Sequence, residues 1–202
     1  MRRVVDLAIA IPALVLVAPL LAGLAVLVRR DSPGPAIFRQ VRIGRDGVPF
    51  IMFKLRSMRS GPATVGGTVM GGAEDPRVTR VGRLLRSTHL DELPQLVNVI
   101  RGDMTLIGPR PEIPEFVERY SAAQREVLRV RPGITGPGQV EYATRWEPLL
   151  DAASDPNEAY VRTIMGPKLD LELAYLRRRS LGSDLGILAG TVRSLLRVLT
   201  RS

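Results

Sequence analysis

Arg86-Ser-Thr-His-Leu-Asp91-Glu92-Leu-Pro-Gln-Leu-Val-Asn-Val-Ile-Arg-Gly-Asp-Met-Thr-Leu-Ile-Gly-Pro-Arg110-Pro111 is the stretch around which the chain is organised. Two adjacent carboxylates, Asp91 and Glu92, sit between arginines. Thr88 or Asp91 suits a helix N-cap, and Pro94 suits a first helical turn. Leu93, Leu96, Val97 and Ile100 then recur at helical spacing. The pattern predicts the carboxylates at a helix N-terminus, where the dipole and nearby arginines favour an ionised acid. The free N–H groups of such an end also favour a bound phosphate. An ionised carboxylate beside a phosphate points to metal binding or to nucleophilic attack on phosphorus. A capped helix with a salt bridge is the plainer alternative, and local chemistry leaves both open.

Composition narrows the partners. The chain has 202 residues, no cysteine, one histidine (His89) and a formal net charge of +9 with a sequence pI near 11.0. Its length suits one domain with attachments. The missing cysteines exclude disulfides, thiolate nucleophiles and thiolate-bound metals, and a lone histidine excludes a histidine-rich metal site. The positive balance fits anionic lipid, phosphorylated substrates or nucleic acid. With four Phe, four Tyr and one Trp, and no RNA-recognition or zinc-finger signature, nucleic acid is not an expected partner.

Leu7 to Val28 carries no charge. As a straight helix these residues would measure about 33 Å, enough to cross a bilayer core. No small-residue cleavage site follows, so a removed signal peptide is not expected. Arg2 and Arg3 precede the run and Arg29 and Arg30 follow it, which gives no inside–outside bias. Pro12 and Pro19 lie inside and can bend a helix. A spanning helix and a re-entrant one that returns both basic ends to one anionic surface are both open.

Beyond a turn at Asp31–Pro35, Ala36–Ile43 and Val48–Phe53 flank Gly44–Gly47 as a β-hairpin. Lys54, Arg56 and Arg59 follow it. Lys54 stands out as one of two lysines against 27 arginines, and a compact ammonium suits a phosphate contact. Gly61–Ala73 is rich in Gly, Thr and Ala, carries no charge and lacks a phosphate-loop ending; it reads as a mobile loop. Arg83 and Arg86 lie one helical turn apart. Pro109 and Pro111 restrain Arg110, whose guanidinium could grip a phosphate with two donors. Phe116–Val130 reads as an amphipathic helix, and Asp155–Arg178 as another. Leu185, Leu188, Val192, Leu195, Leu196 and Leu199 form an apolar stripe beside Arg193, Arg197 and Arg201. That stripe suits either an interfacial helix on anionic lipid or packing on the chain's own core.

Three segments carry a family resemblance. LRSTHLDELPQLVNVIRGDMTLIGPRP (85–111), SPGPAIFRQVRIGRDGVPFIMFKLRSMR (32–59) and RPGITGPGQV (131–140) resemble the bacterial sugar transferases, the small monotopic phosphoglycosyl transferases. The resemblance implies an α+β (mixed α/β) catalytic domain on the cytoplasmic face of the bacterial inner membrane. It implies a division into an anchoring helix at 1–30, a catalytic part at 31–180 and a basic amphipathic helix at 181–202. The family's membrane helix is re-entrant and bent at a Ser-Pro pair; here the pair is Ala18-Pro19. The implied activity moves a sugar-1-phosphate from a nucleotide diphosphate sugar, usually UDP-linked, to polyprenol phosphate such as undecaprenyl phosphate. Asp91 would be the nucleophile, giving a phospho-aspartyl intermediate, and Asp91 with Glu92 would hold Mg²⁺. Lys54, Arg56, Arg86, Arg110 and Arg131 would contact phosphates or nucleotide, and Asp170 falls in a segment similar to the family's YDxxY region. Membrane lipids and downstream glycosyltransferases of exopolysaccharide or lipopolysaccharide assembly are the implied partners. A membrane-attached phosphatase and a non-catalytic scaffold are the rival classes.

Overall fold

The charge-free run and its basic flanks form one helix, α1 (Arg2–Asp31). The structure, a computed structural model, describes residues 2–59, 75–141 and 145–199; the loop expected at Gly61–Ala73 lies outside them. One stripe of α1 faces the rest of the chain: Asp6, Ala10, Leu24 and Val28 are buried, with Leu14, Val17 and Leu21 partly so. Steps of three and four residues make this a single helical face. The other face is open, with Val15 71% and Leu16 82% exposed. The most apolar window of α1 has a mean hydropathy of 2.7 and is only 11% buried, so length and composition suffice to cross a membrane. Pro12 and Pro19 lie on the open face and α1 continues past both.

Both ends of α1 are tied to the same domain by polar bonds. Arg3 donates to the carbonyls of Val99 and Ile100, the latter at 2.7 Å. Asp6 accepts from Thr105 Oγ1 at 2.8 Å and from the Leu106 amide at 3.1 Å. At the exit, Arg56 donates to the carbonyls of Val28 (3.2 Å), Ser32 (2.6 Å) and Pro33. Asp31 Oδ2 accepts from the Val81 amide at 2.9 Å.

The expected hairpin is present as β1 (Ile37–Ile43) and β2 (Pro49–Leu55), antiparallel, with Phe38 opposite Lys54 and Val41 opposite Ile51. Asp46 turns the chain in the left-handed region at φ 57°. A second, parallel pair joins β3 (Thr105–Ile107) to β4 (Gly133–Thr135). At this crossing a Cβ on Gly133 would come 2.1 Å from the Gly108 amide, so only glycine fits.

Two helical expectations are corrected. α2 (Arg80–Thr88) starts at the cap Thr79, whose hydroxyl accepts from the Gly82 amide, and ends at Thr88. Thr88 therefore closes one helix rather than opening the next; its hydroxyl donates back to the Leu84 carbonyl at 2.6 Å. His89 then adopts φ 56°, Leu90–Glu92 form a 3₁₀ turn, and α3 (Gln95–Arg101) begins only after Pro94. Asp91 and Glu92 thus lie in the turn between two helices, and Asp91 caps nothing. Phe116–Val130 is likewise not one helix. It breaks into α4 (Pro114–Val117) and a 3₁₀ turn at Gln124–Arg129. Ser121 and Gln124 exchange side-chain bonds with each other's amides, at 3.3 and 2.9 Å, which starts a new turn between them. Phe116, Val117, Tyr120 and Val127 are buried all the same.

α5 (Pro137–Glu141) and α6 (Glu147–Asp151) are short connectors. α7 (Pro156–Ala159), capped by Asp155, runs through a π-turn at Tyr160–Ile164 into α8 (Met165–Arg178). Pro167 lacks an amide hydrogen, so the Thr163 carbonyl has no helical donor four residues on, and the wider turn accommodates the loss. α9 (Leu181–Leu199) follows. Its Leu185, Leu188 and Val192 are exposed, as an interfacial stripe requires; the side chains of Leu195, Leu196, Arg197 and Leu199, with Arg201, lie outside the described residues.

Arg56, 4% exposed, should be intolerant of change. Arg56→Leu leaves three carbonyls at the exit of α1 without their donor and should lower unfolding stability by on the order of 3 kcal/mol, measured by denaturation in lipid nanodiscs. An unchanged stability would show that this bonding does not secure α1.

Candidate active site

α3, which follows the turn at Leu90–Glu92, is held against β2 by its fully buried Asn98. Its side-chain carbonyl accepts from the Phe53 amide at 3.1 Å, and its amide donates to the Ile51 carbonyl at 2.7 Å. The side chain thereby continues the ladder that the edge of a two-stranded sheet leaves open. This places Lys54, next along β2, over the carboxylates. Lys54 Nζ lies 2.7 Å from Glu92 Oε1 and 4.0 Å from Asp91 Oδ2.

Arg110 approaches from the other side. Its guanidinium grips Glu92 with two nitrogens, at 2.7 Å to Oε1 and 3.4 Å to Oε2. Neighbouring acids are thus set differently. Burial alone would raise the Glu92 carboxyl, but Arg110 and Lys54 outweigh it and hold Glu92 well below the usual carboxylate range. Burial pushes Asp91 up, only partly opposed by Lys54. Burial also lowers Lys54, partly offset by Glu92. One acid is saturated by cations; the other is left with a carboxylate that no side chain among the described residues holds more closely than 4.0 Å. Such divergence between neighbours is a mark of divided chemical roles.

Behind Arg110 lies a second buried cluster. Glu112 accepts from Lys168 Nζ and the Tyr160 hydroxyl, and Arg42 Nη1 is 3.6 Å from its other oxygen. Arg42 also donates to the Pro111 carbonyl at 3.2 Å. Glu172 Oε1 accepts the Arg110 amide at 3.2 Å.

The structure brings Lys54 and Arg110 to Asp91 and Glu92, and puts the other expected residues elsewhere. Arg56 donates to three carbonyls at the exit of α1, and its buried Nε has no hydrogen-bond partner among the described residues. Arg131 donates from Nε to the Gly102 carbonyl at 2.8 Å. Arg86 is half-buried on α2, on the side of Asp75. Asp170 is exposed on α8, whereas Glu172, two positions on, is 1% exposed and touches Arg110. Glu172, Glu112, Lys168 and Arg42 were missed. The scarcity of lysine held the signal: both lysines sit between paired carboxylates, Lys54 with Asp91 and Glu92, Lys168 with Glu112 and Glu172.

Among the described residues no three acidic or histidine side chains gather as a metal cage. With both Glu92 oxygens on Arg110, Asp91 is the carboxylate of the pair left to fit an arrangement in which Mg²⁺ takes one carboxylate and completes its shell with water and substrate phosphate.

A family model described as bacterial sugar transferase matches residues 1–198. The chain belongs to that family. This sugar transferase is 40% identical over 209 residues to a UDP-glucose:undecaprenyl-phosphate glucose-1-phosphate transferase of Caulobacter vibrioides, covering 96% of this chain and 69% of that protein. It is 36% identical to a UDP-N-acetylgalactosamine-undecaprenyl-phosphate N-acetylgalactosaminephosphotransferase of Aeromonas hydrophila, covering 96% of this chain and 43% of that one. It is 33% identical to an exopolysaccharide production protein of Rhizobium leguminosarum bv. phaseoli, covering 96% and 94%.

The Glu112 cluster carries a pH signature. Burial would raise Glu112, but Lys168 and Arg42 pull it below its ordinary value of 4.5. A depressed carboxyl contributes stability that is present above its unfolded pKa and is lost as acid protonates the folded state. The difference in unfolding free energy between wild type and Glu112→Gln should therefore be largest near neutrality and shrink below about pH 4. A difference that stays constant from pH 7 to pH 3 would remove the ion pairs as its source.

Proposed function

We propose that this protein transfers a sugar-1-phosphate from a UDP-sugar to undecaprenyl phosphate, at the cytoplasmic face of the bacterial inner membrane, in the first step of exopolysaccharide or lipopolysaccharide assembly. The observation that carries the reading is the pairing of a cation-saturated Glu92 with a neighbouring, unsaturated Asp91 beneath Lys54. The names of relatives in the same family support the donor and acceptor classes.

In this reading an Asp91 oxygen attacks the sugar-bearing phosphorus of the donor. The bond from that phosphorus to the bridging oxygen breaks and UMP leaves. The sugar-1-phosphate remains on Asp91 as an acyl phosphate. An oxygen of undecaprenyl phosphate then attacks the same phosphorus, the bond to Asp91 breaks, and the lipid diphosphate sugar is released with Asp91 restored. Two displacements at one phosphorus are the use to which a carboxylate nucleophile is suited.

Lys54 and Arg110 have the charge to neutralise the donor diphosphate. Glu92 orients both cations, so that their positions are set before substrate arrives. Mg²⁺ held by Asp91, with Glu92 beside it, would supply charge neutralisation where an anionic nucleophile approaches an anionic diphosphate. Arg29 and Arg30, exposed at the end of α1, carry positive charge suited to anionic headgroups. With both ends of α1 bonded to one domain, a helix that enters and leaves the same leaflet fits this reading better than one that spans. The exposed faces of α1 and α9 would then lie in lipid.

Incubation with Mg²⁺ and a panel of UDP-sugars, without lipid acceptor, should yield a sugar-phosphate adduct by intact mass that maps to Asp91 and disappears on adding undecaprenyl phosphate. Asp91→Asn should give no adduct and at least a thousandfold loss of turnover, on the order of the loss for a covalent nucleophile. Turnover by Asp91→Asn at the wild-type rate would overturn the assignment of the nucleophile.

A further inference from the structure

Arg110 lies on a strap, residues 108–113, that has no regular secondary structure, yet its guanidinium meets Glu92 through two nitrogens. Its backbone is held from behind. Glu172 Oε1 accepts the Arg110 amide at 3.2 Å, and Lys168 Nζ stands 3.9 Å from the same oxygen while bonding Glu112. Glu172 is 1% exposed, and its second oxygen has no hydrogen-bond partner. A Cβ on Gly138 would come within 2.9 Å of Glu172 Oε1, so α5 leaves the carboxylate little room to shift.

A buried acid is costly unless its bonds compensate. Here one dedicated bond goes to the backbone of the residue whose side chain grips Glu92. Of the other buried positions of α8, Met165 and Leu169 are apolar, while Lys168 and Tyr175 carry polar ends. Lys168 lets two acids share one buried positive charge: Glu112, two residues beyond Arg110 on the strap, and Glu172 on α8 itself.

We propose that Glu172 is a positioning residue for the transfer reaction: through the Arg110 amide it fixes the strap so that the Arg110 guanidinium is aimed at Glu92 and at the donor diphosphate. The inference rests on the phosphoglycosyl transfer reading. Lys168 supports it by neutralising Glu172 and Glu112 together. An amide at position 172 keeps an acceptor oxygen for Arg110, and Glu112 alone can then pair with Lys168. Leucine keeps the bulk and removes the acceptor.

The test uses the full chain in lipid nanodiscs, with UDP-sugars and undecaprenyl phosphate, and compares Glu172→Gln and Glu172→Leu in the native and the Arg110→Lys backgrounds. Glu172→Gln should keep kcat/KM within about threefold, and Glu172→Leu should lose about 10- to 100-fold, the scale of an ångström of misplacement. In the Arg110→Lys background Glu172→Leu should cost no further activity, because the guanidinium it aims is gone. A second readout needs no turnover. Pro109 and Pro111 carry no amide hydrogen, so the Arg110 amide has no exchanging sequence neighbour and is followed as a single site by residue-resolved exchange. That amide should be protected in the wild type and in Glu172→Gln, and exposed in Glu172→Leu. Protection retained in Glu172→Leu, a glutamine variant as impaired as the leucine one, or additive activity losses in the double variant would each overturn the proposal. A wild type that transfers nothing from any UDP-sugar would instead strike the transfer reading, while the exchange of Arg110 would still judge the positioning.

Discussion

The Glu92 carboxylate is the constraint that the site depends on. It draws Lys54 from the hairpin and Arg110 from the strap onto one acid in a turn between two helices. Three segments far apart in the chain are brought to one point by charges that would be expensive to bury singly. Because Glu92 absorbs both cations, Asp91 beside it is left less compensated, and burial raises it. Identical chemistry at neighbouring positions thus becomes two different groups.

The supports of this cluster reach outward in layers. Asn98 ties β2 to α3 through two backbone bonds, one made by the oxygen and one by the nitrogen of its side-chain amide. Arg42, on the same hairpin as Lys54, holds the Pro111 carbonyl and Glu112. Arg56, two residues beyond Lys54, secures the exit of α1. Arg3 and Asp6 secure its start against the end of α3 and β3. The long apolar helix is therefore bonded to the segments that carry the acids and their lysine. Its orientation and that of the site are linked by short polar contacts, buried or part-buried.

Lysine usage reflects the same economy of space. Where this chain needs a cation on the surface it uses arginine. Its two lysines stand between two carboxylates each, where a compact ammonium acts as a point charge. Glu112 and Lys168 stabilise the strap from behind as Glu92 and Lys54 organise the site in front.

Sequence alone determined the elements whose signals are local. The charge-free run predicted α1, alternation around Gly44–Gly47 predicted the hairpin, and the motif at 85–111 singled out Asp91, Glu92 and Arg110. Lys54 was legible because lysine is rare in this chain. Tertiary structure decided what depends on phase and partners. His89 in the left-handed region, with Thr88 bonding backwards, moved the acids from a helix start into a turn. On α8 the packing buries Glu172 and leaves Asp170 in solvent. Arg56 looked like a phosphate ligand by its place after Lys54, yet three carbonyls of a distant helix end claimed it. Helical period and motif spacing are properties of nearby residues. Which side of a helix is buried, and which oxygen an arginine finds, are set by segments that meet only when the chain folds.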